Sequence, residues 1–301
     1  MLVPKIDIHA HVTPVHEYPS TPEHTFLLPE ELRAKYDKIG VERGVQLPFS
    51  APGLETDLLN NRESRLLTRD HPQTVGWWFC NVDPRWNRNS EDTDLSLYLR
   101  HFKEAGARGV GELTSHLYFD DPLMDNLFFH CEQCGMPVLF HIGRPGNGDY
   151  GVIDDLGLPR LERALKKFSG LRFIGHSQKF WSQISGDCTE EIRGLRPPTP
   201  VTPGGRLLEL MRTYPNLYGD LSAMSGANAV MRDPEFGYAF MEEFQDRLYF
   251  GVDYCSIYDK PNPLSHYLDE AVEGGRISQQ TYNKICRENA LALLERQEEA
   301  V

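Results

Sequence analysis

The chain repeats one pattern of apolar and polar positions along its length, in which a short apolar run is followed by an amphipathic stretch. Short apolar runs predict buried strands, and apolar residues three and four positions apart predict helices with one buried face. Strands are predicted at residues 5–11, 41–47, 75–82, 107–113, 137–141, 171–176, 216–220 and 247–253. Helices are predicted at residues 30–39, 56–70, 94–105, 123–134, 158–168, 206–214 and 233–245, and two more follow the last strand, the second at residues 278–296.

Strands that alternate with helices predict an α/β fold, and the economical arrangement of eight such units is a (β/α)8 TIM barrel, distorted and with extended βα loops. No linker, charge block or internal repeat interrupts the pattern, so residues 1–301 are expected to form a single domain. An open doubly wound sheet is the alternative, but it requires a glycine-rich turn after the first strand. Residues 9–14 read HAHVTP, which favours the barrel.

Two long connections follow predicted strands. The polar, proline-rich residues 13–29 come after the first strand, and residues 177–205 come after the sixth. Long irregular segments inside compact domains are often lids or binding loops. We therefore expect both connections to lie over the active face.

The charge balance narrows the classes of partner. With 31 Lys and Arg against 44 Asp and Glu residues, the formal net charge is −13, which disfavours nucleic acids and anionic membranes as partners. No run of about eighteen apolar residues and no export signal is present, so a cytoplasmic protein is expected. The cysteines are then expected to be reduced, with Cys131 and Cys134 on a helix face that ends at Gly135.

Two histidines, His9 and His11, lie on the first predicted strand. Side chains two residues apart on a strand share a face and lie about 7 Å apart, which lets both imidazoles reach one metal ion. Two surface histidines near a chain terminus would give the same pattern. Further ligands from other strands must therefore decide between the two interpretations.

Such ligands are found at the ends of later strands. In a barrel the carboxyl ends of the strands meet at one face, where the βα loops form the active site. The candidate residues at those ends are His9, His11, Glu112, His141, His176 and Asp253. All six are metal-ligand types, and together they predict a metal site.

Several segments resemble the amidohydrolase superfamily, in particular the metal-dependent hydrolase branch related to aminocarboxymuconate-semialdehyde decarboxylase. The similar segments are residues 7–11 (DIHAH), 137–141 (PVLFH), 174–176 (IGH), 217–222 (LYGDLS), 248–254 (LYFGVDY) and 288–294 (ENALALL). They are distributed over nearly the whole chain. The resemblance therefore implies the barrel fold and a metal-dependent active site.

The resemblance also implies roles for the candidate ligands. It assigns the first metal to His9, His11, His141 and Asp253. His176 then binds a second metal or contacts the substrate, and Glu112 stands where many two-metal relatives carry a carboxylated lysine. The number of ions, one or two, stays open. Imidazoles and carboxylates suit zinc, and also manganese, iron or nickel.

Three functions are compatible with this site. The leading hypothesis is hydrolysis of a small-molecule amide, ester or lactone by a metal-activated water, with Asp253 transferring the proton and His176 stabilising the oxyanion. The alternative is a one-metal, non-oxidative decarboxylase of an aromatic or unsaturated acid, held by Arg144. The third is a non-catalytic binding or scaffold protein.

Trp181 and His116 are further candidates for substrate contact. A homodimer is compatible with the resemblance, since relatives often form dimers.

Overall fold

A computed structural model describes residues 1–16, 25–48, 59–146 and 149–295 of the chain. The strands are β1 (Lys5–Ala10), β2 (Val41–Gln46), β3 (Val75–Cys80), β4 (Ala107–Leu113), β5 (Ser115–Tyr118), β6 (Val138–Gly143), β7 (Gly151–Ile153), β8 (Phe173–His176), β9 (Leu217–Asp220) and β10 (Leu248–Tyr249). The α-helices are α1 (Pro29–Tyr36), α2 (Asn61–Asp70), α3 (Ser96–Glu104), α4 (Pro122–Cys134), α5 (Pro159–Lys167), α6 (Gln178–Trp181), α7 (Arg206–Thr213), α8 (Ala223–Met231), α9 (Pro234–Glu243), α10 (Leu264–Glu273), α11 (Gln279–Asn283) and α12 (Asn289–Glu295). A 3₁₀ turn spans Ser182–Ile184, and a π-helical turn spans Lys284–Glu288.

Eight strands pair in parallel in the order β1-β2-β3-β4-β6-β8-β9-β10. The last strand returns to the first, because Ile8 N donates to Phe250 O at 3.0 Å and Asp253 N donates to His9 O at 3.1 Å. Helices connect the strands along the chain. The fold is therefore an α/β TIM barrel, which confirms the prediction from the alternating pattern.

Local sequence determines where the helices begin and end, as α4 illustrates. Asp121 accepts a hydrogen bond from Leu123 N at 2.8 Å, and a proline occupies the first helical turn. The helix ends at Gly135, whose φ of 63° is the left-handed conformation that glycine adopts without strain. Cys131 and Cys134 are free thiols on this helix, as predicted.

The C-terminal helices cover the amino ends of the strands. Asn289 donates to the carbonyl of Leu248, at the start of β10, at 2.8 Å, and Arg287 donates to the carbonyl of Pro4, before β1, at 2.8 Å. An apolar cluster joins the last helix to the strands and contains Ile6, Ile8, Val45, Leu47, Phe79, Leu139, Ile174, Tyr249, Ala290, Leu293 and Leu294. This end of the barrel is therefore packed with apolar side chains.

Some elements differ from the sequence prediction. The eighth barrel strand is regular only at Leu248–Tyr249 and not over residues 247–253, and beyond it Phe250 and Asp253 each make a single backbone hydrogen bond to the first strand. Strands β5 and β7 form a small extra sheet with β6, and α8 consists largely of small residues without a clear amphipathic pattern. These short elements depend on tertiary pairing and carry little periodic signal.

The connection at residues 177–205 is fastened to neighbouring elements. It begins with α6 and a 3₁₀ turn, and the buried Arg193 donates to the carbonyl of Asp154 at 3.1 Å. Farther along, Asn228 on α8 donates to the carbonyl of Pro197 at 3.2 Å. In the earlier connection, residues 17–24 lie outside the described residues. No helix in the described part of the chain is long and apolar enough to cross a membrane.

Candidate metal centre

The six residues predicted at strand ends come from five strands that the barrel brings together. The set comprises His9 and His11 at β1, Glu112 at β4, His141 at β6, His176 at β8 and Asp253 after β10. The β6–β8 register places His141 directly opposite His176. Because the strands are parallel, their carboxyl ends share one edge, and all six side chains lie at that end.

The first group of converging donor atoms belongs to His9, His11 and Asp253. The Nε2 atoms of the two histidines are 2.9 Å apart, and Asp253 Oδ1 lies 3.5 Å from His9 Nε2 and 3.6 Å from His11 Nε2. Ligands bound about 2.1 Å from one divalent ion are separated by about 3.0 to 3.4 Å in octahedral or tetrahedral geometry. The spacing and the donor types therefore fit a single metal ion.

A second group shares His9 and adds Glu112 and His176. Glu112 Oε2 lies 3.8 Å from His9 Nε2, and Glu112 Oε1 lies 3.9 Å from His176 Nε2. Asp253 Oδ2 is 3.5 Å from His176 Nε2, so this carboxylate faces both groups. Because both groups use the single Nε2 of His9, they are not two complete sites, and beside an ion on the first group only Glu112 and His176 of the second group remain as donors.

Asp220 holds two of the imidazoles from behind. Its Oδ2 lies 2.7 Å from His9 Nδ1 and 3.2 Å from His176 Nδ1, and Ser222 Oγ lies 3.0 Å from His176 Nδ1. Burial raises the pKa of Asp220, but the charges and hydrogen bonds of the two histidines outweigh it and hold the pKa below its usual range. The ionised carboxylate accepts the Nδ1 hydrogens, which directs both Nε2 atoms toward the centre.

His11 is prepared for ligation in a different way. Its Nδ1 donates to the carbonyl of Leu47 at 3.0 Å, which leaves Nε2 to face the centre. Burial and the neighbouring charge of His9 lower the pKa of His11 to about 4. His11 is therefore neutral at physiological pH, the form that binds metals.

His141 is bound to Glu112 rather than grouped with the other imidazoles. Its Nδ1 lies 2.8 Å from Glu112 Oε1, and burial lowers its pKa. On its other side the ring of Tyr150 lies 4.3 Å away, measured between ring centroids. Among the described residues, His141 belongs to neither group of converging donors. Its predicted role as a ligand of the first metal thus stays a prediction.

Asp7 links the first and last strands of the barrel beneath the site. Its Oδ1 accepts hydrogen bonds from His9 N and Val252 N, both at 2.9 Å, and its Oδ2 accepts one from Tyr36 at 2.5 Å. Burial, the largest effect, raises the pKa of Asp7 to about 7. Asp7 therefore positions the backbone that carries the first histidine.

The predicted substrate contacts occupy different environments. Arg144 is exposed, with its Nε 3.2 Å from Asp149 Oδ2, and His116 is exposed on β5. Trp181, in contrast, is only 2 % exposed, and its Nε1 donates to the backbone carbonyl of Asp220 at 2.8 Å. The structure thus places Trp181 in the core behind the site instead of in its lining, because α6 turns the indole inward.

Sequence reasoning missed several residues of the site. Asp220 is a metal-ligand residue type at the end of a predicted strand, as the other candidates are, so its position in the sequence could have identified it. Ser222 and Tyr150 carry no such signal. The thiol of Cys255 donates to Asp253 Oδ1 at 3.0 Å, a contact that depends on the turn after β10.

Comparison with known proteins tests whether the chain belongs to the family that its sequence resembles. The family model described as "Amidohydrolase" matches residues 6–296. The chain belongs to the amidohydrolase family. The family is metal-dependent, and the donor groups of this amidohydrolase are of a kind that could hold an ion. None of the curated proteins compared with the chain matches it significantly.

Solved structures confirm the fold of this amidohydrolase. It resembles 5-carboxyvanillate decarboxylase from Sphingomonas paucimobilis, with 15% identity, a TM-score of 0.60 and coverage of 97% of this chain and 98% of that one. A probable 2-pyrone-4,6-dicarboxylic acid hydrolase from Acinetobacter baumannii, with citric acid bound, is 13% identical with a TM-score of 0.59 over 97% and 100% of the chains. A dihydroxybenzoic acid decarboxylase from a Polaromonas species, with manganese and 2-nitroresorcinol bound, is 13% identical with a TM-score of 0.56 over 97% and 96% of the chains.

Proposed function

We propose that this amidohydrolase hydrolyses an amide, ester or lactone bond in a small carboxylic acid. The position of Asp253 carries the proposal. Its Oδ1 lies 3.5 Å from His9 Nε2 and 3.6 Å from His11 Nε2, while its Oδ2 lies 3.5 Å from His176 Nε2. A carboxylate in this position can bind an ion through one oxygen and exchange a proton through the other.

The metal-ligand groups suit divalent cations. In the proposal, His9, His11 and Asp253 hold the first ion, and Glu112 with His176 contributes to a second. A divalent cation supplies Lewis acidity and lowers the pKa of water from about 16 toward about 7. The nitrogen-rich donor set favours Zn²⁺, with manganese, iron and nickel as alternatives, and manganese is bound in one structurally similar decarboxylase.

The protein's own residues supply the remaining steps. Asp253 accepts the proton of the attacking water and returns it to the leaving group. His176 either contributes to the second ion or, in a chain that holds one ion, donates a hydrogen bond from its protonated Nε2 to the negative charge that develops on the substrate carbonyl oxygen. Asp220 and Ser222 fix the orientation of that ring, because they bind its Nδ1 atom.

Carboxylate substrates are supported by the comparisons and by charge. Similar structures are named for their action on 2-pyrone-4,6-dicarboxylic acid, 5-carboxyvanillate and dihydroxybenzoate. In this chain Arg144 lies in the connection after β6, on the same side of the barrel as the metal centre. A guanidinium group there suits an acid group of the substrate.

Decarboxylation of an aromatic or unsaturated acid is the second candidate. His9, His11 and Asp253 form a complete group of donors without Glu112, which is sufficient for one ion. Several structurally similar proteins are named as decarboxylases. The number of ions per chain therefore distinguishes the two candidates.

Metal analysis of the purified protein and of Glu112→Gln tests the proposal. We expect two ions per chain in the wild type and one in E112Q, since the amide is a poor ligand. Glu104→Gln, the same change at an exposed site on α3, is the matched control and keeps two. The protein is then screened with lactones, esters, amides and aromatic acids, and the release of acid and of CO₂ is measured. One ion per chain together with CO₂ release supports the decarboxylase instead, and absence of metal from the wild type contradicts both.

A further inference from the structure

A buried lysine lies on the short helix that follows the candidate ligand His176. Lys179 follows His176 by three residues, on the short helix α6, and is only 8 % exposed. Its Nζ lies 3.0 Å from Asp149 Oδ1. Among the described residues, Asp149 is the one side chain that contacts this ammonium group. A buried ammonium requires such a partner, because leaving it unpaired is costly.

The partner of this lysine stands at the edge of the site. Asp149 is 17 % exposed, and its Oδ2 lies 3.2 Å from Nε of Arg144, which is 55 % exposed. The next residue, Tyr150, packs its ring against that of His141. Two cations thus converge on a single carboxylate beside the metal centre, and the three charges leave an excess of one positive charge.

At the amino end of the barrel, a second buried lysine pairs with an aspartate of similar exposure that has one more buried partner. Lys5 Nζ lies 2.8 Å from Asp269 Oδ1, and Asp269 Oδ1 also accepts a hydrogen bond from Tyr282 at 2.6 Å. Asp269 is thereby held on α10 by two buried partners. No comparable third group fixes Asp149 among the described residues, since its other contact is the exposed Arg144.

We infer that Lys179 and Arg144 form a carboxylate-binding subsite and that Asp149 occupies it in the free protein as an internal competitor. An acid group of the substrate offers the two cations the same oxygen atoms and the same charge as Asp149. Asp149 Oδ2 is buried and accepts no hydrogen bond among the described residues, so a substrate acid that replaces Asp149 displaces only its contacts with the two cations. This inference rests on the proposed function, because it assigns acids as the substrates of that site.

Calorimetric titration with benzoate tests the competition directly. Asp149→Asn removes the internal carboxylate and keeps the side-chain volume, so we expect it to lower the Kd for benzoate about tenfold. Adding Lys179→Gln to Asp149→Asn removes the buried cation and should reverse this gain. The matched control is Asp125→Asn, which breaks the surface pair of Asp125 with Lys167, at 2.7 Å, and should leave the Kd unchanged.

Two results would overturn the inference: a Kd for Asp149→Asn within twofold of the wild type, or a double variant that binds benzoate as tightly as Asp149→Asn alone. Circular dichroism and metal content, measured on the same samples, show whether each variant is folded and loaded. Tighter binding by Asp149→Asn in a protein that binds no metal supports this subsite and contradicts the proposed function. Full metal content with no change in benzoate binding contradicts this subsite and leaves the proposed function supported.

Discussion

The two ends of the barrel bury charged side chains in opposite ways. At the amino end the buried Lys5 pairs with Asp269, which also accepts a hydrogen bond from Tyr282, so the ammonium group is held by an aspartate with two fixed partners. At the carboxyl end His9 is bound by Asp220 at Nδ1 only, and its Nε2 faces other donors. A buried polar atom that faces other donors is available to a ligand, whereas one enclosed by fixed partners serves stability.

Electrostatics distinguishes the carboxyl end further. Burial alone would raise the pKa of Asp253, but the charges of His9 and His176 outweigh it and lower the pKa to about 2. The pKa of His9 is raised, because Asp253 and Asp220 outweigh the effect of its burial. The carboxylates at the centre are therefore stabilised by a nearby positive charge, which either a proton or a metal cation can supply.

Replacing Asp253 is expected to have the largest effect on function. Asp253→Asn keeps the shape of the side chain but removes the proton acceptor and the charge, so kcat should fall at least about a thousandfold with the fold retained. Steady-state kinetics on the substrate found in the screen, together with thermal unfolding, measures both.

Asp269→Asn at the opposite end is the contrast to that variant. It should keep kcat and lower the free energy of unfolding by about 1 to 3 kcal/mol, because a buried ammonium loses its charged partner. Full activity in Asp253→Asn, or a large loss of kcat in Asp269→Asn, would break the distinction between the two ends.

Replacing Asp220 tests whether its contacts with the Nδ1 atoms of His9 and His176 strengthen metal binding. In Asp220→Asn the amide can present a donor to the Nδ1 hydrogen of His9, which disfavours the orientation and tautomer that leave Nε2 free. We expect metal affinity to fall about 10- to 100-fold, measured by competition with a chelator. Ser222→Ala removes one hydroxyl contact and keeps the carboxylate, so its loss should be smaller. Wild-type affinity in Asp220→Asn would show that the ring orientation does not depend on Asp220.

Part of this site could be predicted because it follows from short-range pattern. The apolar runs locate the strands, a parallel barrel brings strand ends together, and the residue types at those ends are metal-ligand types. His9, His176 and Asp253 were predicted by that argument, and Asp220 could have been. The barrel itself was predicted for the same reason, since alternating strands and helices admit few topologies.

The remaining features depend on contacts between segments distant along the chain. Which nitrogen of His11 faces the centre is decided by the carbonyl of Leu47, 36 residues away. The pairing of Lys179 with Asp149 depends on how two βα connections meet. Trp181 was predicted to contact the substrate because it lies in the long connection after the sixth strand, but a short helix turns it into the core. Periodicity alone carries no information on such orientations.

Trp181→Phe is expected to have the smallest effect. It tests whether the indole lines the substrate pocket or supports the metal centre from behind. The change removes the hydrogen bond from Nε1 to the carbonyl of Asp220, at 2.8 Å, and shortens a ring that packs against Gly219. We expect the free energy of unfolding to fall by about 1 to 3 kcal/mol, because a buried carbonyl loses its donor, with metal affinity changed less than in Asp220→Asn. KM should stay within about twofold of the wild type, since a residue behind the site has no contact with the substrate. A variant of unchanged stability with a strongly raised KM would instead place the indole in the pocket.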